Sequence, residues 1–176
     1  MKIAILTGSA RKNGNSEKLA AAFKAGAEAA GKTVTLFQTA HLKIGGCTGC
    51  EFCLKNAGEC SLKDDMAAVL QALHQADAIV WASPVYYFSV TAQLKAAIDR
   101  SYPLVNDAGT KKTAMLLTCA DESTDTAAGA IEMYNRIIQY YNWVDAGIII
   151  ATGVEHVSDI DGHATIKQAY GLGLKI

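Results

Sequence analysis

The chain is short of several things, and each shortage removes a class of protein. It has no basic excess: sixteen Lys and Arg stand against seventeen Asp and Glu, a formal net charge of -1. Binding to a phosphate backbone needs a concentrated positive field, so a nucleic-acid partner is not expected. No apolar run approaches the ~20 residues that span a bilayer, so no membrane role is expected either. Met1-Lys2 leads straight into Ile3-Ala4-Ile5-Leu6 without a signal-peptide cleavage pattern, and a cytoplasmic location is expected. There are only two prolines, no low-complexity segment and no internal repeat, while 51% of residues are hydrophobic. That balance belongs to an ordered protein rather than a disordered one. Neither a Walker A loop nor a GxGxxG occurs, so no resident dinucleotide site is expected.

At 176 residues, residues 1–176 are expected to form one domain. Residues 2–6 are an apolar run ending in Thr7-Gly8-Ser9, which reads as a buried strand entering a tight turn. From Ser16, Leu19, Ala22, Phe23, Gly26 and Ala30 recur at helical spacing, and Gly31 is placed as a stop. Further strands are expected at 33–37, 78–82, 113–118 and 147–152. Helices are expected after Asp64-Asp65, and at 91–102, 127–141 and 165–174, where Gly171 and Gly173 should weaken the last end. Asp99-Arg100, near one helix end, reads as an ordinary ion pair. Apolar strands alternating with helices imply a parallel sheet covered on both faces, an α/β three-layer sandwich.

Between the first strand and helix, Gly8 to Ser16 contains small residues, hydroxyls at Ser9 and Ser16, Asn15 and the cation Arg11. Backbone N–H groups at a helix N-terminus, with these side chains, suit a phosphate. Used differently, Asn15 or Ser16 would simply cap the helix. A second loop, Ser83-Pro84-Val85-Tyr86-Tyr87-Phe88, follows the third strand. In a doubly wound sheet it would sit beside the first, at the switch point where ligands bind. Proline, exposed backbone and aromatic rings there could receive a planar heterocycle such as an isoalloxazine, or could pack as ordinary core.

Residues 41–63 show neither period and hold four of the five cysteines, Cys47, Cys50, Cys53 and Cys60, spaced C-x2-C-x2-C-x6-C. So long a loop in an α/β chain is usually functional. Four thiolates suit a [4Fe-4S] cluster, although the x3-C-P ending of bacterial ferredoxins is missing. Zinc, a redox pair such as Cys47 with Cys50, or cysteines without a bound group are the other readings. Cys119 stands apart and reads as a small buried residue. His41, His74, His156 and His163 share no metal-site spacing.

The segments GSARKNGNS, SLKDDM, ADAIVWASPVYYFSVTAQLKAAIDR and AYGLGLKI resemble the NAD(P)H-dependent FMN reductase and iron-sulfur flavoprotein group of the flavodoxin-like superfamily. The resemblance implies a five-stranded sheet in the order 2-1-3-4-5, FMN at the carboxyl ends of the strands, and a homodimer or homotetramer assembled through that face. Carried onto this chain, it implies that Ser9, Arg11, Asn15 and Ser16 hold the FMN phosphate. Pro84, Val85, Tyr86, Tyr87 and Phe88 would border the isoalloxazine, and Thr118, Cys119, Ala120 and Asp121 would close its other side. The flavin then carries the chemistry and no acid-base residue is required. Electrons would come from NAD(P)H or a ferredoxin-like donor and pass to a small-molecule acceptor. With no cluster, the chain would be a reductase of FMN, quinones or nitro- and azo-compounds. An electron carrier without a substrate pocket is a third reading, which the near-neutral charge weighs against.

Overall fold

Five strands form one parallel sheet in the order β2-β1-β3-β4-β5 in the computed structural model, which describes residues 1–106 and 109–176. They are β1 (Lys2–Thr7), β2 (Thr33–Gln38), β3 (Ala78–Pro84), β4 (Lys112–Thr118) and β5 (Val144–Ala151). The helices are α1 (Asn15–Ala29), α2 (Phe52–Lys55), α3 (Met66–Gln75), α4 (Ala92–Asp99), α5 (Ala128–Tyr141) and α6 (Ala164–Lys175). No helix among the described residues is long and apolar enough to cross a membrane.

The central strands β1, β3 and β4 are buried on both faces, so each needs two cores. Ile3 and Ile5 of β1 pack with Leu19 and Phe23 of α1 and Ala169 of α6. Ala4 and Leu6, pointing the other way, pack with Met66 and Leu73 of α3, Leu94 of α4 and Tyr134 of α5. Strand alternation therefore distributes one apolar run between two helical layers.

The expected elements are present, with three instructive differences. β5 begins at Val144 rather than 147, because a register shift lets Thr113 pair with Asp145 and Ala114 with Gly147, leaving Ala146 as the extra residue. α4 stops at Asp99, and Tyr102–Asn106 forms a separate 3-10 turn. Pro103 has no N–H to donate to Asp99 O, so the α-helical ladder cannot continue through it. α6 reaches Lys175 despite Gly171 and Gly173. A Cβ at Gly173 would lie 2.1 Å from the Phe23 carbonyl of α1, and one at Gly26 would lie 2.0 Å from that of Tyr170. These glycines let α1 and α6 touch backbone to backbone.

The order places β1 between β2 and β3, whose crossovers leave on opposite faces. The loops after β1, β3, β4 and β5 thus emerge together at the carboxyl edge of the sheet, around the switch point.

Candidate functional site

The loop after β1 is built by close approach. Gly8 N–H donates to Ala82 O at 2.8 Å, and Thr91 Oγ1 donates to Gly8 O at 2.8 Å. A Cβ at Gly8 would sit 2.4 Å from that same Thr91 hydroxyl. Asn13 then takes a left-handed turn with φ of 54°. α1 starts at Asn15 without a side-chain cap, so its first N–H groups face the cleft free of the usual hydroxyl or carboxylate partner. Beside them, the buried Ser16 Oγ and Asn15 Oδ1 have no hydrogen-bond partner. Orphaned buried polar atoms at an uncapped helix start are what an anion with attached hydroxyls would satisfy.

The loop after β3 is equally fixed. Ser83 Oγ accepts from Thr91 N at 3.1 Å, and Val85 N donates to Thr118 O at 2.8 Å, fastening it to β4. Tyr86 and Ser89 exchange backbone bonds across a tight turn in which Tyr87 and Phe88 both have positive φ, 49° and 69°. L-residues pay for that conformation sterically, and both rings are exposed at the mouth of the cleft.

Between these loops lies a cavity of about 230 Å³. Ser9, Arg11, Gly14, Asn15 and Ser16 line one end, Pro84, Val85 and Tyr86 a side, and Thr118 and Ala120 another. Val154 and Glu155, from the loop after β5, complete it. Sequence reasoning placed Gly14 in the phosphate loop but left out Val154 and Glu155, although the rule that ligands gather at strand carboxyl ends applies to β5 as well. Two donors assigned to a phosphate from the sequence are engaged with that added loop. Asn15 Nδ2 donates to Val154 O at 3.4 Å and to His156 O at 2.9 Å. Arg11 Nη1 donates to Glu155 O at 2.8 Å.

Tyr87, Phe88, Cys119 and Asp121 are not part of the lining. Cys119 is buried beneath the loop, where burial and then the Asp121 charge push its thiol pKa up. Asp121 instead holds the next turn, accepting from Ser123 N and Thr126 Oγ1, both at 2.9 Å. His163 Nδ1 accepts from Thr165 N at the start of α6, a structural use.

Residues 41–63 are mostly exposed, with α2 as their only helix. Cys47, Cys50, Cys53 and Cys60 all line one cavity of about 60 Å³. Cys50 Sγ lies 3.4 Å from Ser61 Oγ. That hydroxyl, with Phe52 N–H and Thr48, lowers the Cys50 thiol pKa to about 7, whereas burial raises that of Cys53. Among the described residues no three His, Cys, Asp or Glu side chains converge as a single metal ion requires. Four sulfurs lining a common space are the donor set that a polynuclear iron-sulfur core takes.

Arg100 does not pair with Asp99, as the sequence suggested. Asp99 is exposed and holds Lys95 at 2.6 Å, one helical turn back. Arg100 is 2% exposed and ion-pairs with Asp64. It also donates through Nη1 to Gly45 O at 3.3 Å, and through Nη2 to Cys60 Sγ at 3.3 Å and Leu62 O at 3.4 Å. Burial would raise the Asp64 carboxyl pKa, but Arg100 and the N–H groups of Gly45 and Met66 outweigh it and hold it low.

The sequence profile described as NADPH-dependent FMN reductase matches residues 1–152. An iron-sulfur flavoprotein of Archaeoglobus fulgidus is 34% identical over 179 aligned residues, which take in 100% of this chain and 79% of that protein. An iron-sulfur flavoprotein of Methanocaldococcus jannaschii is 39% identical over 105 residues, 59% of this chain and 53% of the relative. Among solved structures, an NAD(P)H:quinone oxidoreductase from Methanothermobacter marburgensis superposes with a TM-score of 0.78 at 18% identity. That superposition covers 99% of this chain and 95% of the other, and establishes a shared fold.

Proposed function

Because the chain belongs to the NADPH-dependent FMN reductase family and is an FMN-dependent oxidoreductase, we propose that FMN occupies the cleft at the strand ends and that Cys47, Cys50, Cys53 and Cys60 hold a [4Fe-4S] cluster. The observation that carries the cluster is the gathering of all four cysteines on one cavity. The full-length similarity to a protein named iron-sulfur flavoprotein supports it.

FMN supplies the electron chemistry, exchanging electrons singly or in pairs. The chain's own residues bind, orient and exclude. The uncapped start of α1 and the Ser16 hydroxyl would hold the phosphate, with Ser9 and Arg11 beside them, and the unpartnered Asn15 Oδ1 would accept a hydrogen bond from the bound group. Pro84, Val85 and Tyr86 would border a flat heterocycle on one side, and Thr118 at the end of β4 with Ala120 in the loop after it on another. The N–H groups of Val85 and Tyr86 are committed within the protein, so this wall is chiefly apolar. In the cysteine loop, the Ser61 hydroxyl beside Cys50 favours its thiolate, the form that ligates iron.

Free thiols on an exposed loop fit the reducing cytoplasm. The exposed rings of Tyr86, Tyr87 and Phe88 are apolar surface at the cleft mouth that a second copy would cover in a homodimer or homotetramer. A ferredoxin-like protein or NAD(P)H serves as donor and a small molecule as acceptor. The family description favours a second, cluster-free reading for the same cleft, an NAD(P)H-dependent reductase.

Anaerobically purified protein, assayed for absorbance, iron and sulfide, tests the choice. About four iron and about four labile sulfide per chain are expected, over a flavin spectrum. Flavin alone, bleached rapidly by NADPH, would overturn the cluster, and apoprotein unable to take up FMN would overturn the cleft assignment.

A further inference from the structure

We infer that Arg100 is a positioning residue for the cysteine loop that raises the reduction potential of the site its cysteines form; the inference rests on the cluster reading above. A buried guanidinium is costly unless it is paired and hydrogen-bonded. Arg100, at the end of α4, is among the largest fully buried side chains. Its acceptors are Gly45 O, Cys60 Sγ, Leu62 O and the Asp64 carboxylate. One of these precedes Cys47 and the others lie at or beyond Cys60. A single planar fork therefore joins the entry of the cysteine loop to its exit.

Clamping the loop would need only the carbonyls and Asp64. The bond to Cys60 Sγ goes further, placing a permanent cation on a sulfur of the metal set. Arg100 also lines the cavity itself, and its buried Nε has no partner. Each one-electron reduction adds a negative charge there. A fixed cation hydrogen-bonded to a ligand sulfur stabilises that added charge, whereas Asp64, a fixed anion on the other side of the fork, opposes it. The two residues act with opposite sign.

The test uses anaerobic holoprotein as wild type, R100Q, R100K and D64N. Iron, sulfide and FMN per chain are measured, and both iron-sulfur and flavin midpoints are read in one potentiometric titration followed by electron paramagnetic resonance. R100Q is expected to lower the reduced-to-oxidised ratio of the iron-sulfur site at least tenfold at fixed potential, about 59 mV for one electron. R100K, which keeps the charge but loses the fork, is expected to fall less. D64N, which removes the charge and keeps one oxygen where Gly45 N and Met66 N use two, is expected to shift the opposite way. The flavin midpoint should stay in place throughout.

If R100Q folds and binds FMN but loads no iron, the clamp is supported and the sign is decided by D64N. Loaded variants that keep the wild-type midpoint, or R100Q and D64N moving in the same direction, would overturn the inference alone. A wild type without iron or sulfide would overturn the cluster reading, and the inference with it.

Discussion

The cleft and the cysteine loop lie on one chain and are held in place by different means. Around the cleft, regular structure does the holding: Gly8 N–H extends the ladder to Ala82, Val85 N–H to Thr118, and Cys119 N–H to Ala151. The polar atoms left over, Ser16 Oγ and Asn15 Oδ1, are buried in a rigid frame. The cysteine loop has only the short α2, and apart from one backbone bond, Asp65 N to Lys43 O at 3.1 Å, its anchors are side chains: Arg100 and Asp64, with Asp65 accepting from Lys43 N at 2.7 Å. A site made from backbone resists local change, whereas one hung on a few charges can be moved by altering one of them.

Gly8→Ala should separate the two regions most sharply. The added methyl meets Thr91 Oγ1 and Leu94 Cβ, both fully buried, so overpacking should cost about 1–3 kcal/mol of stability. FMN affinity should fall by more than the tenfold expected below for a single lost hydroxyl, with iron content per folded chain unchanged. Thermal melts, flavin titration and iron assay read all three, and loss of iron in step with flavin would break the comparison.

Ser16→Ala should act more gently and with a split signature. Removing a hydroxyl that has no protein partner should leave the apoprotein melting point level or slightly higher. A bond to a charged phosphate is worth about 1.5 kcal/mol or more, so FMN affinity should drop about tenfold. Equal losses in apoprotein stability and affinity would mean that the hydroxyl serves the fold.

The smallest effect should come from acid. The Asp64 carboxyl is held below its ordinary value, so its contribution is present above the unfolded pKa of about 3.9 and is lost as pH falls through the lower folded value. Hydrogen-exchange protection of residues 43–66 should therefore decline on acidification before that of residues 3–8, and D64N should flatten the difference. Identical decline in both segments would show that the loop is not held by this charge.

The apolar runs made the strands legible, and the alternation of strand with helix made the three layers legible, because burial on both faces leaves no room for polar residues. The strand order came from resemblance; periodicity carries no such information. Cys47 to Cys60 and the Ser9–Ser16 hydroxyls were visible as residue types in loops. What local pattern could not show was direction. Asp99 and Arg100 are adjacent, yet about 100° apart around a helix, so one faces water and Lys95 while the other turns inward to Asp64. Cys119, by contrast, is buried as its residue type suggested, although it lies in a loop. Gly173 was read as a weakness because propensity is local, and its use against Phe23 O belongs to a distant partner.

The bonds from Asn15 to Val154 O and His156 O cross sequence separations of 139 and 141 residues. They give the phosphate end an order of assembly. A nascent chain that has emerged only as far as β4 carries every hydroxyl of the first loop, yet lacks the wall that Asn15 grips. Flavin capture would thus wait for the loop after β5, since closing so long a loop comes late in folding.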